Sequence, residues 1–187
     1  GYQVSLVSTY PYQPMDGVGE TIVLPLALSR FNKGGVGEAG ENAKSGFSAR
    51  IKKAVRVFIP LYRKLRALIG PFTIRTHTAS YLEFLARVQP DLVHALRIPF
   101  EGMLGSATPE GIPFLVATWG NDLTLHAVST PWMKKATHRC LERADGLTSD
   151  TQRDIRLAYD WGLRPDAPTL TVPGSGGLDL AAFDRIS

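Results

Sequence analysis

From Leu92 to Val172 the chain repeats one pattern: a short apolar run, a brief turn, then a segment whose apolar residues recur at helical spacing. The runs at Leu92–Leu96, Ile112–Thr118, Gly146–Ser149 and Thr169–Val172 are predicted strands. The segments Phe100–Thr108, Thr130–Ala144 and Thr151–Trp161 are predicted helices. Strands that are apolar throughout, without alternation, are buried on both faces, the condition of a parallel sheet covered by helices. The fold expected is α/β and Rossmann-like: a doubly wound, mainly parallel sheet with helices on both faces.

The first half of the chain is less regular. Val4–Ser8 reads as a strand bounded by Gly1 and the turn-rich TYPYQPMDGVG. Thr21–Leu28 has strand composition, but Pro25 cannot donate to a ladder and belongs at an edge or an end. The segment 32–47, rich in glycine and small polar residues, is expected to be a flexible loop. Ile51, Val55, Phe58, Tyr62, Leu65 and Ile69 then mark a helix with Ser48 as N-cap, a kink at Pro60 and a stop at Gly70-Pro71. A further helix is expected over Thr78–Val88. The reading places one Rossmann-like domain over 1–173 and a linker over 174–187.

At 187 residues the chain is long enough to bury a core. The formal charge of +4 is a mild basic excess, compatible with phosphates or lipid headgroups and too weak to imply nucleic acid as a partner. The single Cys140 excludes an internal disulfide framework and a cysteine-based zinc cluster, and its helical setting ATHRCLERA reads as a buried, inert thiol. His77, His94, His126 and His138 show no ligand spacing, so no metal site is expected. Neither a phosphate-binding loop nor a nucleophile elbow is present in the sequence.

In open parallel sheets ligands gather at the carboxyl ends of the strands. The residues that follow each predicted strand are His94, Arg97 and Glu101; then Trp119, Gly120, Asn121 and Asp122; then Ser149-Asp150-Thr151; then Gly174, Ser175, Gly176 and Gly177. Gly120 is read as making its turn, and Asp122 as bracing the loop or meeting substrate. Plainer readings stand beside these: Ser149-Asp150-Thr151 as a helix cap, His94 as a hydrogen-bonded core histidine, Arg97 and Glu101 as partners of each other, and Trp119 as a plug of the sheet end. Gly174, Gly176 and Gly177 read as a hinge.

The order PDLVHALR, GIPFLVATWGND, LERADGLTSDTQRDI, TLTVPGSGGLDLAAF resembles the N-terminal domain of the group 1 retaining glycosyltransferases of GT-B fold. The resemblance covers Pro90 to Phe183, and GYQVSLVST is similar to that family's second strand. It implies that the first strand and its glycine-rich loop precede Gly1. It also implies that the chain leads into a C-terminal domain holding most of the nucleotide-sugar donor, which is a substrate, with no tightly bound cofactor. The sequence departs from the family at Trp119, where the family carries a histidine placed at the reacting sugar, at Leu96, which replaces the second histidine of H-x-H, and at Ser175-Gly176-Gly177. Gly120 and Asp122 match.

The resemblance thus implies an acceptor-side domain of a hexosyltransferase, inactive by itself, whose partners are its own C-terminal domain and a sugar, lipid-linked or other hydroxyl acceptor. Trp119, Gly120, Asn121 and Asp122 would line the cleft, with Arg97, Glu101 and His94 on the acceptor. A non-catalytic scaffold module of the same fold and half of a sugar-nucleotide epimerase are the competing readings. Arg50, Lys52, Lys53, Arg56, Arg63, Lys64 and Arg66 cluster in one helical segment among apolar residues. Such a helix fits an anionic membrane surface, and equally a helix that packs its apolar stripe on the sheet and leaves its cations in water. The location expected is the cytoplasm, peripheral on the inner face of the membrane.

Overall fold

The computed structural model describes residues 1–10, 16–26 and 49–172, without the side chains of 49–63. Its order is β1 (Val4–Ser8), β2 (Val18–Val23), α1 (Ala49–Val88), β3 (Val93–Ala95), α2 (Met103–Gly105), β4 (Phe114–Thr118), α3 (Pro131–Arg143), β5 (Gly146–Ser149), α4 (Gln152–Asp160) and β6 (Thr169–Thr171). The segment 32–47, the linker and the glycines 174, 176 and 177 lie outside the described residues.

The chain is α/β, and its described strands pair only in parallel. They form two sheets, β1-β2 and β3-β4-β5-β6, where one was expected. No backbone ladder joins β1 to β3; Val7 and Val93 meet the same side-chain core instead. That core gathers Leu24, Leu26, Tyr81, Leu85, Met103 and Met133. A second core, under the four-stranded sheet, brings Phe114, Val116 and Leu147 against Cys140 and Leu141 of α3 and Ile155 and Ala158 of α4.

Several elements differ from expectation, each for a local reason. β2 covers Val18–Val23, not Thr21–Leu28. Leu24 still donates to the Ser8 carbonyl at 2.8 Å, and the ladder has ended before Pro25, which has no N–H to give. α1 runs unbroken past Gly70-Pro71, so the two predicted helices are one. Pro71 cannot donate to the carbonyl of Ala67. The hydroxyl of Thr130 reaches that carbonyl at 3.4 Å, which fills the missing bond and ties α1 to the start of α3. Pro60 too lies within the helix.

Phe100–Thr108 is not a single helix. Pro99 is extended (ψ 123°) and Phe100 has a positive φ of 67°, so the chain makes a wide turn over Ile98–Gly102 before α2. Gly102 closes that turn by donating to Arg97 at 2.8 Å. A Cβ on Gly102 would stand 2.9 Å from the Arg97 carbonyl oxygen and 3.0 Å from both Cys140 Sγ and Val116 Cγ2, so the turn packs directly on β4 and α3.

The opposite edge of the sheet is pinned by Arg143 and Asp145. Arg143 donates to Asp145 at 2.7 Å and to the carbonyls of Thr108, Pro109 and Ile112. Asp145 in turn accepts from the Phe114 N–H at 2.9 Å. Burial alone would raise this carboxyl, but the Arg143 and Phe114 bonds and the charges of Arg143 and Arg164 hold it below its ordinary value.

Gly102→Ala should destabilise the fold by about 1–3 kcal/mol through overpacking. The check is a urea midpoint that falls while the slope of the unfolding line is unchanged; an unmoved midpoint would mean that the turn does not sit where described.

Candidate functional site

Because β3, β4, β5 and β6 are parallel, the residues that follow them collect at one edge. The sequence-predicted loops at Arg97, Trp119 and Thr151 are brought together there. Asp122 is their centre and is wholly buried, with 0% exposure. Its Oδ1 accepts from Arg97 Nη2 at 2.5 Å, and its Oδ2 accepts from the Trp119 N–H at 3.2 Å and the Ile98 N–H at 3.4 Å. One carboxylate thereby fixes the loop after β3 to the loop after β4. Asp122 braces the edge and does not face solvent.

The remaining bonds extend this brace. Asn121 is exposed, and its carbonyl accepts from Leu125 at 3.0 Å and His126 at 3.1 Å, starting the wide turn Asp122–His126. Arg153 of α4 donates to the Gly120 carbonyl at 3.0 Å and pairs with Asp154 at 2.8 Å. Thr151 caps α4, its hydroxyl accepting from the Asp154 N–H at 3.2 Å, so Ser149-Asp150-Thr151 does the work of a helix cap.

Other expectations are corrected. Trp119 does not plug the sheet end, because 58% of it is exposed. Gly120 is not required by its turn: its φ is not positive, and a Cβ there would meet nothing within 4 Å. His94 is not a core histidine; it sits in the middle of β3 and is exposed, with partial burial pushing its pKa below the ordinary value. Arg97 bonds Asp122, and Glu101 takes its hydrogen bond from Thr9, at 2.8 Å. Cys140 is buried, and burial pushes its thiol well up.

Arg66 also departs from expectation. It was grouped with a cationic face, yet its guanidinium turns inward, 4.7 Å from the Phe100 ring centroid and 5.4 Å from that of Tyr10, and donates to the Tyr10 hydroxyl. Thr9, Tyr10 and Phe100 therefore belong to this edge and were missed. Phe100 carried no signal, since its conformation is one that usually selects glycine. The side chains of Arg50, Lys52, Lys53, Arg56 and Arg63 lie outside the described residues, while Lys64 is exposed. Leu65, Leu68 and Phe72 are exposed as well, so this part of the apolar stripe does not pack on the sheet. Phe72 meets the half-exposed Trp132 edge-on at 5.2 Å.

Among the described residues no group of His, Cys, Asp and Glu gathers as metal ligands, and no helix is long and apolar enough to cross a membrane. No family model, curated protein or solved structure matches the chain.

Burial raises the Glu101 carboxyl, while its own N–H, the Thr9 hydroxyl and the charges of Arg97 and Arg66 act against the rise. A carboxyl raised in the folded state contributes stability below its ordinary value of 4.5 and loses it as pH rises through the folded-state value. Glu101→Gln should therefore gain stability relative to the wild type as pH rises above about 4.5, and parallel curves would contradict this. Asp122→Ala strands the Arg97 charge and two N–H groups and should cost about 3–5 kcal/mol. Trp119→Ala should cost about 1 kcal/mol or less. Thermal and urea unfolding of the two variants side by side check the contrast.

Proposed function

We propose that this chain is the acceptor-side, Rossmann-like half of a retaining glycosyltransferase of GT-B type. In the intact enzyme a sugar would pass from a nucleoside diphosphate to a hydroxyl acceptor, and Trp119 and Gly120 would line the acceptor side of the cleft. The observation that carries the reading is a division of labour within one loop. Asp122 is buried and structural, whereas Trp119 and Gly120 beside it have no structural demand on their side chains. A glycine with ordinary φ and open space before it, next to an exposed indole, is what close approach of a ligand to the backbone requires. An aromatic face is a good platform for the apolar face of a sugar ring.

The order of sequence motifs supports the reading from a second direction. The loops after β3, β4 and β5, which carry the first three of those motifs, gather at the carboxyl edge of the parallel strands, where ligands of α/β sheets bind. Arg97 and Glu101 stand at the same edge and would contact acceptor hydroxyls. Trp119 in place of the family histidine favours the alternative of a non-catalytic binding module, in which the same edge holds a saccharide without transferring it.

Gly120→Ala separates folding from function. Its stability should equal the wild type or exceed it by up to about 1 kcal/mol, because the backbone there is compatible with alanine. In the full-length protein, screened for sugar release from nucleoside diphosphate sugars, the same change should lower activity about ten-fold or more. An unchanged rate counts against the loop, and no release by the wild type from any donor, with saccharide binding retained, favours the binding module.

The exposed Leu65, Leu68, Phe72 and Trp132 beside Lys64 support docking of this part of α1 on an anionic membrane surface. Sedimentation with liposomes should show binding to anionic lipid at low salt that is lost in Phe72→Ser/Trp132→Ser. Absence of binding at low salt ends that part of the proposal.

A further inference from the structure

The inward turn of Arg66 leaves a feature that the brace around Asp122 does not account for. Arg66 comes from α1, Arg97 and Glu101 follow β3, and Thr9 and Tyr10 follow β1. Three distant parts of the chain thus deliver two guanidinium groups, two hydroxyls and a carboxyl to one place. Arg66 donates to Tyr10 and Arg97 donates to Asp122, each through Nη2. The Nε of each is buried and has no partner among the described residues.

A buried N–H without an acceptor loses its hydration and gets nothing in return. Two such donors, on separate guanidinium groups whose charges both act on one carboxyl, call for an acceptor with several oxygens pointing in different directions. Glu101 is close enough to feel both charges, but its hydrogen bond comes from Thr9. The Arg97 side chain is 43% exposed, so the cluster opens to solvent on that side. Phe100, held at φ 67° by the turn, supplies the floor on which Arg66 lies. Strain of this kind persists only where surrounding structure enforces it, and it is concentrated at binding sites.

We propose that Arg66 and Arg97, with the hydroxyl of Tyr10, form a site for a phosphomonoester, whose oxygens accept from the two unpartnered Nε–H groups. A tetrahedral phosphate reaches two guanidinium groups from different sides, whereas a planar carboxylate matches one fork. Glu101 competes for the same two cations and sets the affinity. Placing this phosphate on the acceptor of sugar transfer rests on the function proposed above; the anion site itself does not. The phosphate can come from a soluble ester or from a lipid headgroup.

The test uses proton–nitrogen NMR, which observes arginine Nε–H groups directly. Arg66→Lys and Arg97→Lys each remove one such signal and so assign it. Titration of the wild type with inorganic phosphate and then glycerol 3-phosphate, at constant ionic strength, should shift both signals along one saturable curve. Each Lys variant keeps the charge but loses the Nε donor and should bind about ten-fold more weakly or worse. Glu101→Gln should bind several-fold more tightly, an effect that a purely structural role for Glu101 does not produce. Binding to phosphatidic acid vesicles that free phosphate competes away, with none to phosphatidylcholine, identifies a headgroup; binding of the free esters alone identifies a soluble source. If neither Nε–H signal moves with phosphate up to about 10 mM, or if both Lys variants bind as the wild type does, the site does not exist. Saturable binding in a protein that never cleaves a nucleotide sugar would keep the site and remove the transfer reading.

Discussion

One buried carboxylate organises the carboxyl edge of the sheet. Asp122 receives a charged hydrogen bond from Arg97 and two backbone N–H bonds, from Ile98 and Trp119, so the loops after β3 and β4 cannot move independently. A carboxylate taken wholly out of water is tolerable only when a cation and several donors surround it, and here both conditions are met. The consequences spread outward: Ile98 opens the wide turn that presents Phe100 and Glu101, and Trp119 is held at the start of its loop with its indole in solvent. The edge is rigid where it is buried and open where it is exposed.

Much of the fold was legible in the sequence because its signals were local. Continuous apolar runs marked β3 to β6, and their parallel pairing followed from the helices between them. Thr151 advertised the start of α4 through ordinary cap chemistry. What was not legible depended on contacts distant in sequence. Gly70-Pro71 reads locally as a helix stop, and only Thr130, sixty-three residues away, completes the freed Ala67 carbonyl. The wide turn at Phe100 was hidden because a phenylalanine at positive φ contradicts its own preference, and the turn is imposed by the packing of Gly102 against β4 and α3.

The candidate site shows the same division. The loop Trp119–Asp122 was found from its position after an apolar strand, but the roles within it were distributed differently: the carboxylate is structural, and the glycine has no conformational reason to be one. Arg66 was assigned by composition to a cationic helix face. Charge runs do not say which member turns inward, and the two aromatic rings that receive this guanidinium lie at positions 10 and 100. Arg97 and Arg66 together concentrate positive charge at the edge, against which the partly buried Glu101 and the buried Asp122 are the described counterweights.

The Arg97–Asp122 pair is the joint between two strand-end loops, and a double-mutant cycle tests that joint directly. Arg97→Met and Asp122→Asn, singly and together, should show a coupling energy toward the upper end of the range of about 0.5–3 kcal/mol seen for residues in one network. Additive effects, with a coupling indistinguishable from zero, would mean that the two loops are held by something else and would remove the physical basis for the site.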